Sequence, residues 1–250
     1  MKLSIDHETV YTYDAPVRSS TQVLRLTPRP GNHQKVLDWK VELSGSATRT
    51  QDGYGNVLHV LTLDKPVSEI RIRARGTVET QASADEGQDG SGNPLSPLVF
   101  LRTTPLTRAE AVPAGLSEAL RRNAGTLSGL RELAAAVLAG KRAEQQDTNA
   151  EALAHAFIAS CRQLGVPARY VSGYVLAKDA AGEALQLHAW AEAWVVDRWR
   201  SFDIAAGTPA GERHVRIALG ADYLDACPIH GVRTGGGLET MKAEARFSTA

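Results

Sequence analysis

The tightest constraint on this chain lies after Asp64-Lys65-Pro66, where Ile70, Ile72 and Ala74 alternate with Arg71, Arg73 and Arg75. A period of two sends the apolar set to one face of a strand and the cationic set to the other. Such a strand is half buried, and half-buried strands belong to antiparallel sheets with one solvated face. An arginine stripe can also bind anions, but the wet side of such a strand explains it without a ligand. The segments before it read the same way. Residues 23–27 alternate and stop at Pro28-Arg29-Pro30-Gly31-Asn32. Residues 36–43 form another run, with Gly45 marking a turn. Asp52-Gly53-Tyr54-Gly55-Asn56 is a hairpin-like connector into residues 57–63, because Gly and Asn tolerate positive φ. Several short strands separated by turns predict a β-sandwich-like domain over residues 1–97. It closes in the polar, glycine-rich stretch 81–94, which reads as a linker.

Composition narrows the remaining classes. The 250 residues leave room for one large domain or two modest ones. With 43% hydrophobic and 22% charged residues the chain reads as an ordinary globular protein. Lys and Arg total 28, as do Asp and Glu, so electrostatic capture of nucleic acid or an acidic membrane is not expected. No apolar run reaches about 18 residues, and the first residues lack the apolar stretch of a secretory signal. The two cysteines, Cys161 and Cys227, make neither a disulfide framework nor a zinc spacing. A cytoplasmic protein with no metal or organic cofactor is therefore expected.

From residue 98 onward the pattern turns helical, then β again. Leu116, Ala119, Leu120, Leu127, Leu130, Leu133, Ala134, Val137 and Leu138 recur at three and four, with Gly140 as a stop. Thr148-Asn149-Ala150-Glu151 fits a capping box for a helix through Phe157 and Cys161. Gly165-Val166-Pro167 ends that helix. Strands are then expected at 168–176, 188–196 and 199–204, with a last one within 238–247 that returns to the first domain.

A helix followed by an antiparallel sheet carrying His188 and Asp203 is one way to build a thiol active site. The helix tip lowers the thiol pKa, the histidine pairs with it, and the acid orients the histidine. At these residues the chain resembles the bacterial transglutaminase-like family. The likeness is carried by Arg162-Gln163-Leu164-Gly165-Val166-Pro167-Ala168-Arg169-Tyr170, His188-Ala189-Trp190-Ala191-Glu192, Ser201-Phe202-Asp203 and Asp222-Tyr223-Leu224-Asp225-Ala226-Cys227-Pro228. Leu24-Arg25-Leu26-Thr27-Pro28-Arg29 and the 52–56 connector are similar to the domain that precedes the family core. The resemblance implies an α+β fold: the β-sandwich-like domain, then a papain-like core over 98–250 with helices packed on an antiparallel sheet. It also implies a Cys-His-Asp triad, with His188 and Asp203 as its last two members.

The first member is missing. The family nucleophile stands at the start of the central helix, and Ala154-His155 match the end of that segment. Counting back without gaps places Ala150 where the cysteine belongs, unless a deletion moved the register. Cys161 lies eleven residues along the helix, roughly 16 Å away, at the end where the dipole disfavours a thiolate. It reads as core, Cys227 as a packed loop thiol, and Thr148 as a cap. His155 reads as a hydrogen-bonded helix residue and Trp190 and Trp194 as core packing, although a substrate groove could use both. Gly235-Gly236-Gly237 lacks the strand–helix frame of a phosphate loop. If Asp197-Arg198 were the hairpin turn, Asp203 would face Glu192 and stand about 13 Å from His188. A turn one residue earlier is needed to join them. Two functions follow: a degenerate protein whose old groove binds a peptide or protein, or an amide-bond enzyme (peptidase, amidase or acyl transferase) with another nucleophile. Substrate and oligomeric state are not legible.

Overall fold

The computed structural model describes residues 1–82, 95–108, 118–179 and 182–249. Most of the expected linker (83–94) and the expected helical position Leu116 lie outside them. The described chain is mostly β. Strands β1 (Lys2–Leu24), β2 (Gln34–Leu43), β3 (Ala47–Gln51), β4 (Val57–Leu63) and β5 (Val67–Thr80) come first. Helices α1 (Glu118–Asn123), α2 (Leu127–Ala143) and α3 (Ala150–Gln163) follow. Then come β6 (Ala168–Asp179), β7 (Gly182–Val195), β8 (Arg198–Phe202), β9 (His214–Gly220), the one-turn α4 (Tyr223–Ala226), β10 (Ile229–Gly235) and β11 (Glu239–Thr249).

Strand β1 organises the first sheet. Its pairing with β5 breaks register between Thr12 and Val17. Before the break β5 and β11 flank it; after the break β4 and β10 do. One long strand thus serves two sets of neighbours, and the seven-stranded sheet curls there. Where two stacked sheets were expected, hydrogen bonds run continuously through one. Tyr13, Val17, Leu24, Leu61, Ile70 and Ile72 fill the curl. The alternation in β5 is realised as read: Ile70, Ile72 and Ala74 are buried. Arg71, Arg73 and Arg75 face outward and pair with Glu8 and Glu69, Asp6, and Glu42. β10 and β11 bring the end of the chain back onto β1.

The second sheet has the order β8-β7-β6-β9, all antiparallel. Its two faces differ. Leu185, Ala189, Ala191 and Ala193 of β7 join the core that holds Leu153, Phe157, Ile158 and Cys161 of α3. The alternate residue Trp190 packs on the other side, with Phe100, Val171, Trp199 and Leu219. Arg162 seals the exit of α3 by donating to the carbonyls of Phe100, Ala168 and Ala221 and to the Thr107 hydroxyl. Burial lowers its pKa to about 10 despite nearby Asp222.

Two local expectations shift. Asn149, not Thr148, caps α3: its side-chain carbonyl accepts from Ala152 N–H at 2.8 Å, and Asp147 steadies it at 2.8 Å. Helix α2 passes through Gly140 to Ala143, because one helical glycine costs only about 1 kcal/mol against a packed apolar face.

The sheets meet through two side-chain amides. β9 is the open edge of its sheet, and exposed edge groups need partners. Gln34 accepts from Arg216 N–H at 2.7 Å and donates to Arg216 O at 2.8 Å. Asn56 does the same with Leu219, at 2.9 and 2.7 Å. Each carboxamide completes the ladder as a peptide group would. Asn56→Asp keeps the shape but removes the donor and sets a second carboxylate beside Asp52. It is expected to lower unfolding free energy by about 2–4 kcal/mol. Urea titration measures this, and a loss under about 0.5 kcal/mol would contradict the docking role.

Candidate functional site

The β7–β8 hairpin determines which residues meet. It turns at Val196 and Asp197, whose φ values of 52° and 55° suit a type I′ turn. Val195 pairs with Arg198 and Ala191 with Phe202, one residue earlier than the Asp197-Arg198 turn would give. Continuing that register sets Asp203 across from Trp190, on the face that carries His188. A two-way backbone bridge between Asp203 and Thr208 holds the segment beyond β8. His188 Nε2 lies 2.8 Å from Asp203 Oδ2.

The structure adds a residue that the sequence reading missed. His214, the first residue of β9, places its Nε2 3.0 Å from the same Oδ2. Ala206 N–H donates to Oδ1 at 3.1 Å. The two imidazole rings lie 6.0 Å apart, and Trp190 packs against both, stacked on His188 at 6.4 Å and edge-on to His214 at 5.3 Å. Asp203 is 2% exposed. Burial alone would raise its pKa, but hydrogen bonds from His188 and His214 outweigh it and hold the carboxyl well below the usual range. Among the described residues, His188, Asp203 and His214 form a group whose ligand-type atoms lie within 4.8 Å of one another, close enough for a metal ion.

The same face buries further charge. Glu192 takes Arg169 Nε at 2.7 Å and Arg216 Nη1 at 3.3 Å. The Arg169 guanidinium lies 4.0 Å over the Trp199 ring. Trp194 packs edge-on against Trp199 at 5.5 Å.

The other sequence-derived candidates stand apart. Ala150 is the first residue of α3 and packs against the helix-side core. Cys161 is fully buried in that core, on the face of the sheet opposite Trp190 and its partners, and burial pushes its thiol far up. Cys227 is 3% exposed and donates to Ile229 O at 3.0 Å. Thr148 is exposed and outside the helix. His155 stacks on Tyr170 at 5.0 Å, and its Nε2 accepts from Tyr223 N–H at 3.1 Å. Burial lowers its pKa to about 4, as befits a structural histidine. Gly235, Gly236 and Gly237 form the β10–β11 turn, with φ of 82°, 95° and 60°. Their freedom is used for the chain reversal. Among the described residues no helix is long and apolar enough to cross a membrane.

This arrangement, an apolar helix packed on an antiparallel sheet with a buried His–Asp pair on its far face, agrees with the family comparisons. Residues 3–79 match the bacterial transglutaminase-like N-terminal region. Residues 100–204 match the core of the transglutaminase-like superfamily. The chain belongs to that superfamily. An uncharacterized protein of Mycobacterium leprae (strain TN) is 27% identical over 277 aligned positions, spanning 94% of each chain. A crystal structure of a candidate cysteine protease from Cytophaga hutchinsonii superimposes with a TM-score of 0.71 at 18% identity. It covers 99% of this chain and 90% of that one, which establishes a shared fold.

Two outcomes are expected. Because the folded Asp203 carboxyl titrates below its unfolded value of about 3.9, its stabilisation is complete above that pH and is lost as pH falls toward the folded value. Carboxyl 13C NMR should find Asp203 still ionised at about pH 4, where exposed aspartates are half protonated. Half-protonation there would refute the two-imidazole account. Secondly, thiol reagents at neutral pH should label neither Cys161 nor Cys227 in the native chain, with both labelled after denaturation. Mass spectrometry of the alkylated protein decides this.

Proposed function

We propose that this chain is a catalytically degenerate transglutaminase-like protein that uses the region around His188 to bind a peptide or protein. The carrying observation is the start of α3, Ala150-Glu151-Ala152, which offers no thiol or hydroxyl where the family resemblance places its nucleophile. The two cysteines do not repair this. Cys161 is fully buried near the opposite end of α3 from position 150, and the Cys227 thiol is spent on a backbone carbonyl. Losing the nucleophile removes most of the rate in enzymes of this type. Meanwhile Asp203 remains buried and hydrogen-bonded at three points, which keeps the His188 ring in a fixed place where a ligand could meet it.

A second reading rests on that same His188–Asp203 pair, which an amide-bond enzyme with another nucleophile would also keep. One set of assays separates the two. The native chain should give no turnover on peptide amides, esters or amine acceptors. Ala150→Cys should create a thiol that alkylates roughly tenfold faster than a free cysteine at neutral pH. Native turnover that His188→Ala abolishes would overturn the degenerate reading. An ordinary thiol in Ala150→Cys would show that position 150 is not the vacated nucleophile site.

A further inference from the structure

We infer that His214 is a positioning residue that fixes the proton arrangement of the His188–Asp203 pair, leaving Nδ1 of His188 as the acceptor presented to whatever binds there. The argument rests on which nitrogen can hold a proton. An ionised carboxylate only accepts, so each imidazole nitrogen facing Asp203 Oδ2 must donate. In the neutral imidazole His188 therefore carries its single proton on Nε2, 2.8 Å from Oδ2, which leaves Nδ1 as an acceptor. Among the described residues nothing hydrogen-bonds its Nδ1, and the ring remains partly open, with 15% of its side chain exposed.

His214 is held from both sides. Its Nε2 donates to Oδ2 at 3.0 Å, while its Nδ1 accepts from Gly211 N–H at 3.1 Å. A proton on Nδ1 would meet that N–H head on, so the tautomer is set by the backbone. With His214 and Ala206 N–H engaged, Asp203 cannot rotate away from His188.

The Gly211 contact also decides against a metal at these three side chains. A metal-ligating histidine normally donates its other N–H to a carbonyl or carboxylate. Here that second nitrogen faces a donor, so a metal on His214 Nε2 would leave the ring with no proton at Nδ1. The His–Asp–His cluster is thus built to hold protons. This assignment does not depend on the binding reading; it tells only what such a ligand would meet, an acceptor that calls for an N–H or O–H.

Long-range 1H–15N spectra of the full chain at neutral pH test it directly. Both His188 and His214 should appear as single Nε2–H tautomers. His214→Phe should spread His188 over both tautomers, with loss of much of its Nε2–H signal. His214→Gln, whose amide can donate from the Nε2 position, should restore it. Far-UV circular dichroism and thermal melting report whether each variant is folded, and the native spectrum stands even if His214→Phe is not. A native His214 protonated on Nδ1 would overturn the proposal, as would a folded Phe variant with an unchanged His188 signal. So would a Gln variant that scrambles it. Stoichiometric zinc binding by the native chain, with loss of both Nε2–H signals, would assign a metal site instead. Failure here leaves the Ala150→Cys experiment unaffected, so the two readings fail separately.

Discussion

Gln34 and Asn56 tie the two sheets into one structure by supplying β9 with the hydrogen bonds its open edge lacks. An edge strand with bare peptide groups is both a desolvation problem and an aggregation template. Two carboxamides solve this with directed pairs that an apolar contact cannot imitate. The consequence reaches the site. Arg216 and Leu219 lie on the strand that begins with His214, so the same contacts that dock the sheets fix the position of the second imidazole. Tyr174 Oη, 2.7 Å from His7 Nδ1, adds a buried link between β6 and β1. A core matched only over residues 100–204 would lack Gln34, Asn56 and β9 alike. The N-terminal region is part of the site's architecture.

The second sheet divides its chemistry by face. Alanines at 189, 191 and 193 leave space for α3 to pack closely, and Phe157 meets Phe202 at 4.9 Å. The other face buries Arg169, Glu192, Arg216 and Asp203, each at most 5% exposed. Removing one member of such a buried set leaves its partner uncompensated, which is far costlier than replacing all of them. Gly173 belongs to this packing: an added Cβ would lie 2.2 Å from Val215 O and 2.6 Å from the Trp190 ring. Glycine there lets the Trp190 ring approach β6 closely while it packs against both histidines.

Local order in this chain was legible wherever one strand or helix face carried the signal. Ile70, Ile72 and Ala74 announced β5, and His188-Ala189-Trp190-Ala191 announced a strand with unlike faces. What required three dimensions stayed hidden. His214 sits apart from every quoted motif, and only the pairing of β9 with β6 brings it beside Asp203. The clue available was an imidazole at a strand start shortly after a glycine. The 52–56 turn was read for its φ tolerance, yet Asn56 also contributes its amide to a strand 163 residues away. The hairpin turn was displaced because Val196 adopts positive φ, an arrangement rare enough for a β-branched residue that propensity points elsewhere.

Loss of a nucleophile and retention of the groups that would serve it place different demands on a fold. Alanine at position 150 is cheap: it is an excellent helix former, it packs on the core, and Asn149 caps the turn beside it. Asp203 is different. Its carboxylate is buried, accepts from two imidazoles and an amide, and sits in a segment bridged to Thr208. Replacing it would strand two histidine donors and an N–H around a buried position, at a cost of about 1–3 kcal/mol for each group left unsatisfied. The His–Asp–His cluster therefore has a structural reason to persist after catalysis has gone. Its survival alone does not indicate turnover. What persists with it is the open Nδ1 of His188, a fixed acceptor at the surface of an otherwise closed polar network, and that atom is where selection for binding would act.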